Sequence, residues 1–367
     1  MSALLFLAGD VMTGRGIDQI LPHPSEPAIF EDLARSALDY VELAERAHGQ
    51  VNRPVDFAYV WGEALGELER RRPSARIVNL ETAVTTSRIA EPKGINYRMN
   101  PANIGILGAA KIDCAVLANN HVLDWGEAGL LDTLATLKTA GIQTCGAGGT
   151  LSEASQPAII EVGAAGRICV YGFGCAYSGI PHQWAAGKRR PGVRLLTDLS
   201  NRTAVQIAAE IIVHKRSGDI TIVSIHWGAN WGYRITSEEQ AFAHALIDFG
   251  ACDILHGHSS HHARAIEVYR NRLILYGCGD FINDYEGIQG YEAYRGDLSV
   301  IYLPRLNAAS GELEALTLVP FQMHRLRLQR ASGADAEWLR TVLNRESGQF
   351  KARFSLADDA ELHGEWV

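Results

Sequence analysis

The fold is organised around the segment DILHGHSSHH, residues 253–262, in which four of the chain's 13 histidines fall within seven positions. The apolar pair before the first histidine predicts a buried strand that ends in a loop. Imidazole nitrogens crowded at a strand end are costly to bury unless something binds them, and a divalent metal is a common partner. The segment therefore predicts a metal centre at a strand end.

Other side chains that can bind a metal also follow short apolar runs. Because several strand ends can meet at one edge of a sheet, we expect these side chains to converge on one site. Carboxylate, amide and imidazole donors suit Mn, Fe, Zn, Mg or Ca better than a thiolate site would. The side chains in question, apart from the histidine-rich segment, are Asp10, Glu81, Asn120, His121 and His226.

Size and composition are those of an ordinary enzyme. The 367 residues are 47% hydrophobic and 21% charged, which is enough for a large core. A net charge of −8 gives no global attraction to nucleic acid or to an anionic membrane. No apolar run approaches the roughly 18 residues of a membrane span. We expect a cytoplasmic protein with six reduced cysteines, no nucleic-acid partner and no membrane span.

Short strand-like runs alternate with helical periodicity along most of the chain. The early strands are separated by helices, which favours parallel pairing, whereas two later runs alternate like antiparallel strands. The pattern predicts a single α/β domain over residues 1–330 with mixed sheets. Residues 331–367 are predicted to form a C-terminal helix and a tail that pack on this domain.

Five motifs, in this order, resemble the bacterial capsule-synthesis (CapA/PgsA, poly-γ-glutamate biosynthesis) family, a branch of the calcineurin-like metallophosphoesterases. The resemblance covers roughly residues 3–285. It implies a four-layer α-β-β-α metallophosphoesterase-like sandwich with a metal centre at the strand ends. The motifs are Gly9-Asp10-Val11-Met12, Asn79-Leu80-Glu81, Asn119-Asn120-His121, His226-Trp227-Gly228 and Gly257-His258-x-x-His261.

The resemblance also implies roles for individual residues. Three positions depart from the phosphoesterase pattern: Met12 replaces the histidine of its Asp-x-His motif, Glu81 replaces an aspartate, and one residue is inserted before His261. His256 and Asp280 are expected not to bind the metal themselves but to contact the residues that do. The implied metal ligands are Asp10, Glu81, Asn120, His226, His258 and His261. The implied catalytic groups are Asp10, His121, His258 and His261.

Basic and aromatic residues near these motifs are candidates for substrate binding. Arg15 and Arg98 could meet a phosphate or carboxylate. Trp227 and Trp231 flank one of the histidines and could line a pocket. We therefore expect these four residues to contact the substrate.

Three functions follow from these patterns. The first is metal-assisted acid/base chemistry, hydrolysis or transfer, on a peptide or polyglutamate-like substrate that bears carboxylates. The second is cofactor-independent peptide epimerisation, similar to that of lasso-peptide maturation enzymes, in which Asp10 and a histidine remove and return an α-proton. The third is a non-catalytic scaffold subunit of a capsule-polymer synthesis complex. None of the three requires an organic cofactor.

Overall fold

The computed structural model describes residues 2–32, 34–163 and 166–366. This part of the chain is a mixed α/β structure with two large sheets and two short strand pairs. In spatial order the first sheet contains β20 (Ala352–Leu356), β21 (Leu362–Trp366), β18 (Leu313–Met323), β17 (Leu298–Asn307), β1 (Ser2–Val11), β2 (Ala75–Leu80), β5 (Cys114–Val116) and β6 (Gln143–Cys145). In addition, β16 (Asp280–Ile282) pairs with β1 and β19 (Leu328–Arg330) pairs with β18.

The second sheet is built from the middle of the chain. Its strands, in spatial order, are β11 (Leu195–Leu196), β9 (Arg167–Cys175), β12 (Ile220–His226), β13 (Ile254–His258), β15 (Arg272–Leu275) and β14 (Ile266–Tyr269), with β8 (Ala158–Glu161) paired to β9. The short pairs are β10 (Gly192–Val193) with β7 (Ala147–Gly148), and β3 (Ala83–Val84) with β4 (Arg98–Met99).

Strand direction follows the chain order that the sequence predicted. The strands β1, β2, β5 and β6 run parallel, whereas β17 pairs antiparallel with β1 and β18 pairs antiparallel with β17. In the second sheet β9, β12, β13 and β15 are parallel. The predicted α/β class with mixed sheets is therefore confirmed. Because parallel strands end at the same edge of a sheet, the residues that follow them lie on one side.

Helices connect the parallel strands. One of them, α8, begins with a capping box, because the Thr236 hydroxyl accepts from the Glu239 backbone N–H while the Glu239 carboxylate accepts from the Thr236 N–H. No helix in the described ranges is both long and apolar enough to cross a membrane. The helices are α1 (Gly16–Ile20), α2 (Leu38–His48), α3 (Ala64–Arg71), α4 (Gly105–Ala109), α5 (Gly126–Thr139), α6 (Leu151–Ala154), α7 (Asn201–His214), α8 (Ser237–Asp248) and α9 (Gly333–Ser347).

Both faces of the first sheet are buried, and β1 shows why. Its alternate residues Leu5 and Leu7 join an apolar core that also contains Ile222 and Ile254 of the second sheet. Phe6, which points the opposite way, joins a core with residues of α2 and α3. On its other face the second sheet packs against α7 and α8. The two sheets therefore share one core, and helices cover their other faces.

The C-terminal segment contains more regular structure than the sequence predicted. Its helix is present as α9, and Leu339 and Leu343 place it in the core shared by the two sheets. The predicted tail instead forms β20 and β21, which extend the first sheet beside β18. Of the two, β20 forms the edge of the sheet, because β21 lies between β20 and β18.

Candidate metal centre

Two groups of buried ligand atoms meet where the strands end. The carboxylate of Asp10 and the rings of His226 and His258 each offer one atom, and the three atoms lie within 4.8 Å of one another. Asp10, His261 and Asp280 form a second such group. Asp10 belongs to both groups, and the His261 side chain is 11% exposed whereas Asp280 is completely buried. The structure thus brings together donors that are distant in the sequence.

Strand register explains this convergence. Asp10 at the end of β1 pairs with Asp280 at the start of β16, and His226 at the end of β12 pairs with His258 at the end of β13. The chain then turns at Ser259, whose φ of 102° is rare for an L-residue. The Ser259 N–H donates to Asp10 Oδ2 at 3.2 Å, which connects the end of the second sheet to the first.

Asn79 of β2 contacts the Asp10 carboxylate, and Glu81 and His121, which follow β2 and β5, lie near each other. The Asn79 side-chain amide donates to Asp10 Oδ1 at 2.7 Å and to Glu81 Oε2 at 3.4 Å. His121 Nε2 lies 3.7 Å from Glu81 Oε1. Asn120 Oδ1 is buried without a hydrogen-bond partner among the described residues. Such an acceptor is costly to bury unpaired, so an ion or ligand at this position would satisfy it.

Electrostatics at the centre favour a cation. Burial and the neighbouring Asp280 raise the pKa of Asp10 to about 7. Burial and Asp10 likewise raise the pKa of Glu81 well above its ordinary value. Burial lowers the pKa of both His226 and His258 well below the ordinary value, which keeps their rings neutral and able to bind a metal. Crowded carboxylates beside neutral imidazoles are the donor set of a divalent metal site.

A chain of contacts connects His226 and His258, the two histidines of the first candidate group, to the first sheet. His226 Nδ1 lies 2.9 Å from His258 Nδ1, and the Ser224 hydroxyl lies 3.0 Å from His258 Nε2. The same hydroxyl lies 3.0 Å from His256 Nδ1, and His256 Nε2 lies 2.9 Å from the Ala8 carbonyl oxygen. His256 therefore lies behind the centre, where it connects the two sheets through a backbone group.

Asp280, which the sequence placed behind the ligands, is itself part of a ligand group. Its Oδ1 lies 2.9 Å from His261 Nδ1, and its Oδ2 accepts from the Asn283 amide at 3.0 Å. It both orients His261 and offers an oxygen of its own. The sequence shows that Asp280 can bind a metal but not that it lies beside Asp10, because pairing of β1 with β16 is a tertiary feature.

His121 is held by residues that the sequence did not assign to the site. Its Nδ1 lies 2.6 Å from Asp124 Oδ2, while Lys93 Nζ donates to Asp124 Oδ1 at 2.8 Å. Burial lowers the pKa of His121 to about 4. Asp124 lies three residues after His121, and this spacing is the signal in the sequence that could have revealed the pair.

The four predicted substrate-binding residues divide into two pairs. Arg15 and Trp231 line a cavity of about 520 Å³ that His261 also lines. Trp227 is fully buried between the second sheet and its helices, and its indole N–H donates to the Tyr276 carbonyl at 3.0 Å. It lies one position after His226, so it points to the opposite face of the strand end. The structure does not bring it to the centre.

Arg98 also binds groups of the protein itself rather than facing the candidate centre. Its guanidinium donates to the carbonyl oxygens of Ser87 and Glu26 at 2.9 and 2.8 Å, and it lies over the Trp125 ring. Through these contacts the guanidinium connects two loop segments. The sequence could not distinguish this structural arginine from one that contacts a substrate.

Comparison with known proteins shows which family this chain resembles. The family model described as bacterial capsule synthesis protein PGA_cap matches residues 4–285. A probable polyglutamine synthesis accessory protein of Mycobacterium tuberculosis is 48% identical over 351 residues, 95% of this chain and 92% of that protein. The PGA biosynthesis protein CapA of Bacillus subtilis is 27% identical, over 86% of this chain and 70% of that protein. The capsule biosynthesis protein CapA of Bacillus anthracis is 25% identical, over 83% and 64%.

The motifs quoted from the sequence all lie inside the matched range, as do both ligand groups. The chain belongs to the bacterial capsule synthesis protein PGA_cap family, whose members include the CapA proteins.

Proposed function

We propose that this chain is an enzyme that performs metal-assisted acid/base chemistry, hydrolysis or transfer, on a peptide or polyglutamate-like substrate. The observation that carries the proposal is the pair of ligand groups that share Asp10. The names of the relatives, which refer to polyglutamine synthesis and PGA biosynthesis, support the substrate class.

The residues present fit a divalent ion. Two buried carboxylates and three imidazoles offer ligand atoms, and the unpartnered Asn120 Oδ1 is a further oxygen donor of the type that hard cations accept. Such an ion, when bound, lowers the pKa of a coordinated water and polarises a substrate carbonyl. We assign the ligand role to Asp10, His226, His258, His261 and Asp280, with Glu81 and Asn120 adjoining them.

His121 is suited to move the proton in this chemistry. Asp124 holds its Nδ1 and so fixes the ring, which leaves Nε2 directed toward Glu81 and the ligand groups. A histidine whose orientation is fixed in this way can deliver or accept a proton at a defined atom. His121 would act as the acid or base for a reacting group held at the candidate centre.

Metal analysis of the purified chain tests the proposal directly. We expect bound Mn, Fe or Zn in the wild-type chain and its loss, together with at least a 100-fold fall in turnover, in Asp10→Ala, because the shared ligand is gone. Asp198→Ala, which removes an exposed aspartate before α7, is the matched control and should keep both. A wild-type chain without metal after metal reconstitution would contradict the proposal.

A second candidate is cofactor-independent peptide epimerisation by Asp10 and a histidine. The pKa of about 7 at Asp10 favours it, because a group that titrates near neutral pH can both take and return a proton. His261, whose side chain is 11% exposed, would serve the opposite face of the α-carbon. Deuterium incorporation at a peptide α-carbon that persists with a chelator would select this candidate over the first.

The scaffold function is the third outcome of the same experiments. One relative is named as an accessory protein, and this name favours a role beside a polymer-forming enzyme. A chain with neither metal nor turnover that co-purifies with a ligase would support it.

We also propose a four-layer α-β-β-α metallophosphoesterase-like arrangement and a single domain. The three apolar cores, one between the sheets and one on the outer face of each, support the layering. The leucines of α9 in the shared core support the view that residues 331–367 pack on the domain formed by residues 1–330.

A further inference from the structure

The cavity beside the candidate centre, here called the His261 cavity, is large enough to hold part of a peptide. Its volume of about 520 Å³ falls within the range of small-molecule sites. It reaches the centre through His261, which belongs to one of the two ligand groups. Residues used below that line it are Arg15, Trp231, Tyr291, Glu292, Asp297 and Gln322.

The one guanidinium in the lining is not available to a carboxylate. Arg15 donates to both oxygens of Asp284, at 2.9 and 2.5 Å, and to Glu31 at 3.0 Å. The Arg15 side chain is 1% exposed. Its charge is therefore matched by two buried carboxylates, which leaves a net negative charge around it. The predicted role of Arg15 as an anion-binding residue does not follow from this geometry.

Apart from the imidazoles of His48 and His261, the other charged side chains of the lining are acidic. Among the described residues, no lysine and no second arginine line the cavity, whereas Glu286, Glu292 and Asp297 do. Asp297 is paired with Arg295, and Glu286 accepts from backbone N–H groups. Glu292 is exposed, and only its Oε1 accepts a hydrogen bond, from the Gly290 N–H. A run of glutamate carboxylates inside this cavity would be repelled.

A side-chain carbonyl oxygen and an aromatic face of the lining remain available to a ligand. The Gln322 amide donates to Asp297 Oδ2 at 2.7 Å, so its carbonyl oxygen is left without a partner among the described residues. Tyr291 stacks on Trp231 with ring centroids 4.1 Å apart, yet Tyr291 is 48% exposed. An ammonium has three donors and no acceptor, and aromatic rings attract it.

We propose that the His261 cavity binds a primary ammonium group, the amino end of a peptide or glutamate polymer, and keeps the carboxylates of that chain outside. This rests on the proposed function, since it names the part of the substrate that lies beside the same centre. It places the reaction near the amino end of the chain. Glu292 and the open face of Tyr291 are the groups that recognise the ammonium.

Calorimetry with matched peptides tests this assignment on the full-length chain. The probes are γ-linked triglutamate, its N-acetyl derivative and its C-terminal amide. We expect acetylation to weaken binding about tenfold, because it removes the positive charge, and amidation to change it less than about twofold.

Two variants locate the effect in the cavity. Glu292→Gln should weaken binding of the free-amine peptide about threefold and leave the acetylated peptide unchanged. Glu127→Gln removes a carboxylate that is also exposed, on α5 outside the cavity lining, and should change neither.

Equal or tighter binding of the acetylated peptide overturns the assignment, and so does an absence of binding by the free-amine peptide. Metal content and turnover, measured on the same preparation, decide the proposed function separately. A metal-containing, active chain that is indifferent to acetylation overturns the ammonium site alone. A chain that lacks metal but distinguishes the two peptides overturns the metal chemistry alone.

Discussion

Ser224 shows how a single side chain supports the candidate centre. Its hydroxyl lies 3.0 Å from a ring nitrogen of both His256 and His258, and it is completely buried. A hydroxyl in this position fixes the orientation and the tautomer of a ligand ring. Ser224 lies two residues before His226 on β12. Because side chains alternate along a strand, the two lie on the same face of the sheet.

We predict that Ser224→Ala weakens binding of a divalent metal about tenfold, because the His258 ring loses the contact that orients it. The free energy of unfolding should fall by about 1–2 kcal/mol, since two imidazole nitrogens lose a hydrogen-bond partner. Titration with Mn²⁺ and denaturation with urea measure these two quantities.

The matched control for this variant lies on the same strand. Thr221 Oγ1 is buried without a hydrogen-bond partner among the described residues, so Thr221→Val removes no such contact. It should leave the metal affinity unchanged. If both variants weakened metal binding equally, the role assigned to Ser224 would be wrong.

At the scale of elements, Glu361 connects the C-terminal strands to α3. It lies just before β21 and contacts Arg71 and Arg70, with Arg70 Nη2 at 2.8 Å from its Oε1. Burial opposes its ionisation, but hydrogen bonds from Arg71 and Arg70 outweigh burial and lower the pKa of Glu361 to about 2. The last two strands are thereby tied to a helix that is distant in the sequence.

We predict that Glu361→Gln lowers the free energy of unfolding by about 1–2 kcal/mol at pH 7, after allowance for solvent around the two guanidiniums. A carboxyl whose pKa is lower in the folded state stabilises above its ordinary pKa of 4.5. That contribution disappears as the pH falls toward about 2. The gap between wild type and variant should therefore close over this range, as measured by urea denaturation at a series of pH values.

Glu365→Gln, at an exposed position of the same strand, provides the comparison and should change stability by less than about 0.5 kcal/mol. A difference between Glu361→Gln and wild type that stayed constant from pH 7 to pH 2.5 would show that ionisation of Glu361 is not its source.

At the scale of the whole molecule, one core binds the parts together. Leucines of β1 and isoleucines of β12 and β13 meet there, and Leu343 of α9 is fully buried in the same cluster. A truncation in this core removes contacts to both sheets at once. The C-terminal helix should therefore unfold with the sheets rather than before them.

We predict that Leu343→Ala lowers the free energy of unfolding by about 2–4 kcal/mol and keeps a single transition, because it leaves a cavity between packed elements. Coincident far-UV dichroism and tryptophan fluorescence curves check this. Leu131→Ala, which is 46% exposed on α5, should cost less than about 1 kcal/mol. A separate early transition in Leu343→Ala would indicate that the C-terminal segment folds as its own unit.

Local patterns located most of the residues that the structure brings together. An apolar run followed by a polar residue marked Asp10, His226 and His258, because a buried strand that ends in a polar group is unusual without a function. Proximity to the motifs did not identify the roles of Arg98 and Trp227, since charge and aromaticity alone do not reveal which face of an element a side chain occupies. Those two are committed to loop and core contacts instead.

The sequence by itself determined the α/β class, the order of parallel and antiparallel strands and the identity of most candidate ligands. These depend on apolar periodicity and on residue chemistry, both of which are local. Only the tertiary structure decided that Asp280 lies beside Asp10 and that Asp124 contacts His121. It also decided that the Arg15 guanidinium donates to two buried carboxylates. Each of these contacts joins separate segments or depends on a choice among local conformations. The packing of the two sheets fixes them, and no short stretch of residues encodes that packing.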